Sequence, residues 1–116
     1  MSNQDKGRRG ETLAAAYLAR RGFRILERNY RRLRCEVDII AMDGEILAFV
    51  EVKARYSGSM GLGRDALTAA KRRNIIKAAQ CYIQERGLQD TAARFDVAEV
   101  GLEDGRVTYI ENAFEV

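Results

Sequence analysis

From Cys35 to Arg55 the chain reads CEVDIIAMDGEILAFVEVKAR, two apolar runs separated by Asp43-Gly44, a pattern that predicts a β-hairpin with a tight turn. Side chains alternate between faces along a strand. Glu36 and Asp38 therefore share one face of the first strand, and Glu51 and Lys53 one face of the second, while Val37, Ile39, Val50 and Val52 point the other way. The runs VDIIA and ILAFV are apolar at consecutive positions, which predicts central strands covered on both sides. Counted outward from the turn, antiparallel pairing brings Asp38 and Glu51 to about the same level.

The flanking segments supply the cover. Residues 6–22 predict a helix with Leu13, Ala14, Tyr17 and Leu18 on one apolar arc, closed by Gly22. Glu11 lies at the edge of that arc and can face the sheet, whereas Arg8, Arg9 and Arg20 sit opposite. FRILERNY, residues 23–30, predicts an edge or near-edge strand, followed by a basic turn, Arg31 to Arg34. Residues 56–64, YSGSMGLGR, predict a flexible loop over the hairpin, and no G-K-[ST] closes it as a phosphate loop requires. Asp65 caps a long helix to about Arg86, ended by Gly87, with Leu67, Ile75, Ala78, Ala79, Tyr82 and Ile83 as its buried stripe. Lys71 projects within that stripe, where it either snorkels to the rim or reaches a carboxylate or phosphate. RFDVAEV and RVTYIE then predict two strands around the turn Glu103-Asp104-Gly105, with Asp96 a structural or solvent-facing acid. The order is α-β-β-β-α-β-β, which makes the fold class α/β with a central mixed sheet of about five strands.

A chain of 116 residues has room for one domain, residues 1–116, and its 47% hydrophobic and 32% charged residues are ordinary globular composition. No apolar run approaches the length of a membrane span and the N-terminus has no signal-like apolar stretch, so a cytoplasmic protein without membrane association is expected. Cys35 and Cys81 read as reduced core thiols. The absence of histidine excludes His-based triads and His-ligated zinc.

Charge is unevenly placed. Residues 1–34 carry ten Lys and Arg against three acids, residues 35–70 three against six, and residues 71–94 six against two. Two basic segments thus bracket the acidic hairpin, as a phosphate-binding rim around a metal site requires, with Arg8, Arg9, Arg31, Arg32, Arg34, Arg55 and Arg72 as candidate nucleic-acid contacts. The competing reading is that these side chains only solvate helix faces and loops. The acids have two readings as well. Either Lys53 neutralises Asp38 or Glu51 on a half-exposed face, or the surplus negative charge of a covered hairpin is balanced by a divalent cation, for which Asp and Glu oxygens are suitable ligands.

An acid on one strand followed on the next by E-x-K, here Asp38 and then Glu51-Val52-Lys53, resembles the PD-(D/E)xK core shared by type II restriction enzymes and archaeal Holliday junction resolvases. The motifs GRRGE (Gly7 to Glu11), VDIIA, FVEVKAR, the Lys71 helix, RFDV and NAF (Asn112 to Phe114) together resemble the YraN-type family of small bacterial nuclease-like proteins, over almost the whole chain. Val37 stands where the superfamily signature has proline, a departure shared by many resolvase-like members.

The resemblance implies a restriction-endonuclease-like domain and metal-dependent hydrolysis of DNA, with branched or junction DNA as a substrate class and a homodimer as the assembly. Asp38, Glu51 and the backbone carbonyl of Val52 would hold Mg²⁺ or Mn²⁺. Lys53 would orient water or neutralise charge on the phosphate, Glu11 would complete the shell, and Glu36 and Lys71 would stand behind it. Two other classes fit the same residues: a non-catalytic nucleic-acid-binding module that kept the fold, and an RNA-associated factor steered by its basic rim.

Overall fold

The computed structural model describes residues 3–56 and 67–116, with side chains from Gly7 onward. Helix α1 spans Asn3–Arg20 and helix α2 Ala69–Arg86, and strands β1 to β5 span Arg24–Arg32, Cys35–Asp43, Ile46–Arg55, Ala93–Gly101 and Val107–Phe114. The strands form one sheet in the order β1-β2-β3-β4-β5, antiparallel except for the parallel pair β3–β4. That parallel pair follows from α2, which carries the chain across the sheet between the two strands. The mixed five-stranded α/β sheet and the element order agree with the expectation from sequence. So does the edge position of β1.

Each helix covers one face. Ile75, Ala78, Ala79 and Tyr82 of α2 pack with Tyr30, Val37, Phe49, Phe95 and Phe114, while Ala14 and Leu18 of α1 pack with Ile39, Ala41, Ala48, Val50, Ala98 and Val100. Even-numbered β3 residues meet α1 and odd-numbered ones α2, which is why ILAFV is apolar at every position. Gly10 lets α1 lie close, since a Cβ at Gly10 would stand 2.7 Å from the Ala54 Cβ. Gly10→Ala gains about 1 kcal/mol of helix propensity but forces an overpacking cost of about 1–3 kcal/mol. A net loss of stability in urea denaturation is the expected result.

Several boundaries differ from the sequence reading. Helix α1 begins at Asn3 and ends at Arg20, with Gly22 at φ 88° closing it. Arg31 and Arg32 belong to β1, so only Leu33 and Arg34 form the turn into β2, both with positive φ, 54° and 63°. The hairpin turn is Gly44-Glu45, not Asp43-Gly44: Asp43 pairs with Ile46, and Gly44 takes φ 61°. Asp65 and the loop 57–64 lie outside the described residues, and the cap of α2 is Thr68, whose side chain accepts from Lys71 N at 3.1 Å.

The simple alternation in β2 also fails at one point. Val37 packs under α2 whereas Ile39 packs under α1, so the strand changes face at Asp38. The β2–β3 ladder ends at Ile39↔Val50. Where the next rung would join Val37 to Val52, the Val52 N–H instead donates to Asp38 Oδ2 at 2.8 Å. A carboxylate has replaced a backbone carbonyl in the sheet, and β2 and β3 part around it.

Behind α1, on the same face as Ala98, lies a buried polar cluster. Asp96, fully buried, accepts from Arg94 Nε (3.0 Å), the Tyr109 hydroxyl (2.5 Å) and the Asn112 N–H (3.0 Å). The last contact uses a bulge in β5 where Asn112 takes φ 51°. Asp96 is thus the structural acid of the two alternatives. Cys35 is buried and Cys81 half-buried, and both are free thiols.

Candidate active site

The parting of β2 and β3 opens a cleft of about 790 Å³ at the ends of these strands, walled by α1, β1 and the Lys71 end of α2. Asp38, Glu51, Lys53, Glu11, Glu36 and Lys71 all line it, with Arg8, Arg31 and Arg55 among the basic residues. A one-residue difference in the turn decides this convergence. With Gly44-Glu45 as the central pair, the register continued one step past Ile39↔Val50 puts Asp38 opposite Glu51, close enough for Glu51 to raise the Asp38 pKa.

Burial is the largest influence on Asp38 and the adjacent Glu51 carboxyl the next; together they push its pKa from 3.8 up to about 8, against the pull of the Val52 N–H and of Lys71. Glu51 is itself buried, with its Oε2 3.5 Å from Lys71 Nζ. Lys71 therefore reaches a carboxylate, from an exposed position on the first turn of α2 rather than from the buried stripe. Lys53 is half-buried and makes no ion pair among the described residues. Its Cα lies level with Glu99 on β4, two residues beyond Glu51 on the same face of β3.

Glu11 faces the sheet as its place on the helical arc requires, and is buried. Its Oε1 accepts from Arg28 Nε at 3.0 Å and Asn29 Nδ2 at 2.8 Å. Burial raises its pKa above the ordinary glutamate value, with Arg28 opposing and Asp38 adding to the rise. Glu36 is held by Arg31 Nε at 3.2 Å on the cleft rim.

Not every expected basic residue joins this rim. Arg32 turns to the α2 face, pairing with Glu85 at 2.8 Å and lying over the Tyr30 ring, and neither it nor Arg9, Arg34 or Arg72 lines the cleft. Conversely, Arg28 and Asn29 enter the site without having been expected there. Asn29 has φ 55° in the middle of β1, which turns both side chains toward Glu11. Asparagine is among the few residues that tolerate that conformation, and Asn within a strand-like run was the available signal.

Among the described residues, no group of three or more His, Cys, Asp or Glu side chains is arranged to hold a metal ion. The smaller set fits a hard cation nonetheless. Asp38 and Glu51 offer adjacent carboxylate oxygens, and the Val52 carbonyl points to the same side of β3 as the N–H that meets Asp38. Mg²⁺ commonly takes one or two carboxylates and keeps several waters. The raised pKa of Asp38 comes first from burial and then from the neighbouring Glu51, with Lys71 pulling against it.

Fold and site together define a small α/β protein with one mixed sheet and an acid–lysine cleft where two central strands diverge. Its sequence matches the model of Uncharacterised protein family UPF0102 over residues 10–100. It is 52% identical over 101 residues to the UPF0102 protein of Chlorobium chlorochromatii, covering 87% of this chain and 78% of the relative. It is 45% identical over 117 residues to that of Geobacter sulfurreducens (98% and 91% covered) and 46% identical over 119 residues to that of Desulforapulum autotrophicum (99% and 98% covered). The chain belongs to the UPF0102 family, which is the YraN family its motifs resemble. Among the described residues no helix is long and apolar enough to cross a membrane.

Proposed function

We propose that this protein is a divalent-cation-dependent endonuclease that hydrolyses DNA phosphodiesters in the β2–β3 cleft. The observation that carries this reading is the juxtaposition of Asp38 and Glu51 in a cleft that Lys53 also lines and that has Arg8, Arg31 and Arg55 on its walls. Acids placed together in a buried position cost stability. A basic rim concentrates a polyanion over them.

Asp38, Glu51 and the Val52 carbonyl are the residues that would hold Mg²⁺ or Mn²⁺; bound there, such an ion polarises the phosphodiester and makes water nucleophilic near neutral pH. Lys53 lines the same cleft, where its ammonium would orient the attacking water and offset charge building on the phosphate. Lys71, 3.5 Å from Glu51 and on the cleft wall, neutralises part of the Glu51 charge and would be a second contact for the phosphate. Arg28 and Asn29 hold Glu11 at the cleft wall, so that Glu11 tunes the charge around Asp38 instead of occupying an inner position.

A non-catalytic nucleic-acid-binding module is the second reading, favoured by the hold of Lys71 and Arg28 on two of the three acids. The two separate in one experiment: single-stranded, nicked, flapped and four-way DNAs incubated with Mg²⁺ or Mn²⁺. The enzyme cuts at least one of them, and Lys53→Ala lowers the rate by about 10²-fold or more while leaving DNA affinity within a few-fold. Binding that is indifferent to metal and to Lys53, with no cut on any substrate, sinks the nuclease reading.

A further inference from the structure

The β1–β2 turn is unlike the rest of the surface. Leu33 at its tip is 71% exposed: its backbone carbonyl accepts from Cys35 Sγ at 3.5 Å, while its side chain stands in water. Both turn residues, Leu33 and Arg34, take the left-handed backbone conformation that hairpin turns of this length demand and that Asn and Gly accept most readily. A leucine is a poor choice there on both counts, apolar in water and branched at a positive φ.

Its neighbours are cations on every side. Arg31 lies on the cleft face of the hairpin, 3.2 Å from Glu36 but with its side chain 75% exposed; Arg32 lies on the opposite face, paired with Glu85; and Arg34 shares the tip without an ion pair among the described residues. An apolar point flanked by arginines on both faces suits a polyanion with an apolar interior, which is the description of a stacked nucleic-acid duplex. Proteins that kink duplexes insert Leu, Ile, Met or Phe between base steps while arginines hold the backbones.

We infer that Leu33 is a wedge that enters a DNA duplex at an unpaired or unstacked step, with Arg31 and Arg34 clamping the phosphates around it. The inference rests on the nuclease reading and names its substrate class: duplex interrupted by a nick, mismatch or branch, where a base step is already open and insertion costs least. Leu33 stands beyond the β1–β2 end of the cleft whose wall carries Asp38. At the rise of an extended strand, the four residues from Arg34 to Asp38 span about 13 Å, equal to about four base steps. Incision is therefore expected a few nucleotides from the interruption.

The test compares wild type with Leu33→Asn, a change that favours the turn backbone and keeps the fold, and with Leu33→Met, which keeps an apolar point. Binding is measured by fluorescence anisotropy in Ca²⁺ on intact, nicked and mismatched duplexes, with 2-aminopurine beside the interruption as a reporter of unstacking. Wild type and Leu33→Met are expected to prefer the interrupted duplexes by about tenfold and to raise 2-aminopurine fluorescence. Leu33→Asn is expected to bind intact duplex as well as wild type does but to lose both the preference and the fluorescence rise. If Leu33→Asn keeps both, or if it instead changes the oligomeric state in sedimentation, the wedge is wrong while the nuclease reading stands. If wild type binds none of these duplexes, the nuclease reading itself fails.

Discussion

Asp96→Ala is expected to cost about 3–5 kcal/mol, the usual consequence of removing one partner from a buried ion pair. Arg94, whose side chain is only 9% exposed, keeps its charge and loses the carboxylate it grips through Nε; Tyr109 and the Asn112 N–H lose their acceptor at the same time. Asp43, 2.8 Å from Arg94 Nη2, is 37% exposed and compensates only in part. Against a total stability of about 5–15 kcal/mol, such a loss leaves the domain marginal. Glu111→Ala, which removes the 3.6 Å contact of Arg94 with a half-exposed carboxylate, is expected to cost less than about 0.5 kcal/mol. Urea denaturation of the two variants decides the matter: similar midpoints for both would show that the Asp96 cluster is not what joins β4 to β5.

The second large effect concerns Asp38, and it has opposite signs for stability and activity. With its folded pKa raised to about 8 from 3.8, the folded chain holds a proton between these values that the unfolded chain has released. The stability from that proton is complete at acid pH below 3.8 and is lost as pH rises through about 8. Metal-free wild type is therefore expected to weaken steadily from pH 5 to pH 8. Asn at position 38 can still accept from the Val52 N–H and can donate to Glu51, so Asp38→Asn should flatten the profile and be more stable at pH 8 by about 1–3 kcal/mol. The residual slope belongs to Glu11, whose pKa is also raised by burial. Saturating Mg²⁺ should stabilise wild type by about 2–3 kcal/mol and leave Asp38→Asn unmoved, and the variant's DNA cleavage should fall by about 10²-fold or more. A flat wild-type profile together with a Mg²⁺ response in Asp38→Asn would overturn the assignment of this carboxyl as a cation ligand.

The two variants differ because of what each carboxylate has around it. Asp96 is surrounded by donors that satisfy it completely, so its presence stabilises the fold. Asp38 has one backbone donor, a carboxyl neighbour and Lys71 as the cation acting on it, so its ionised form destabilises the fold. Strain at the β1–β2 turn belongs to the same category: two non-glycine residues at positive φ cost about 1–3 kcal/mol each, and the weak hydrogen bond from Cys35 Sγ to the Leu33 carbonyl offsets little of it.

Much of the site is legible in the sequence. Acids at positions 38 and 51 on two otherwise apolar strands, and a glutamate on the apolar arc of the first helix, follow from periodicity, because the period of two in strands and 3.6 in helices sets which side chains share a surface. Gly10 and Glu11 of GRRGE, motif residues in the sequence, acquire separate physical reasons: one permits the helix to approach Ala54, the other points into the cleft. Arg28 and Asn29 were not legible, since the positive φ of Asn29 breaks the strand's alternation, and such a break leaves only a faint trace in residue type.

The sequence by itself determined the elements, their order, the two-sided cover of β3 and the set of acids available to the cleft, because each depends on local propensity and hydrophobic period. Tertiary structure alone decided that the hairpin turns at Gly44-Glu45, that β2 changes face at Asp38, that Lys71 meets Glu51 and that Arg32 leaves the rim for Glu85. These outcomes depend on which distant groups compete for the same donor or the same space. A side chain that takes the Val52 N–H from a backbone carbonyl cannot be read from period, because the competition exists only once β2 and β3 are side by side.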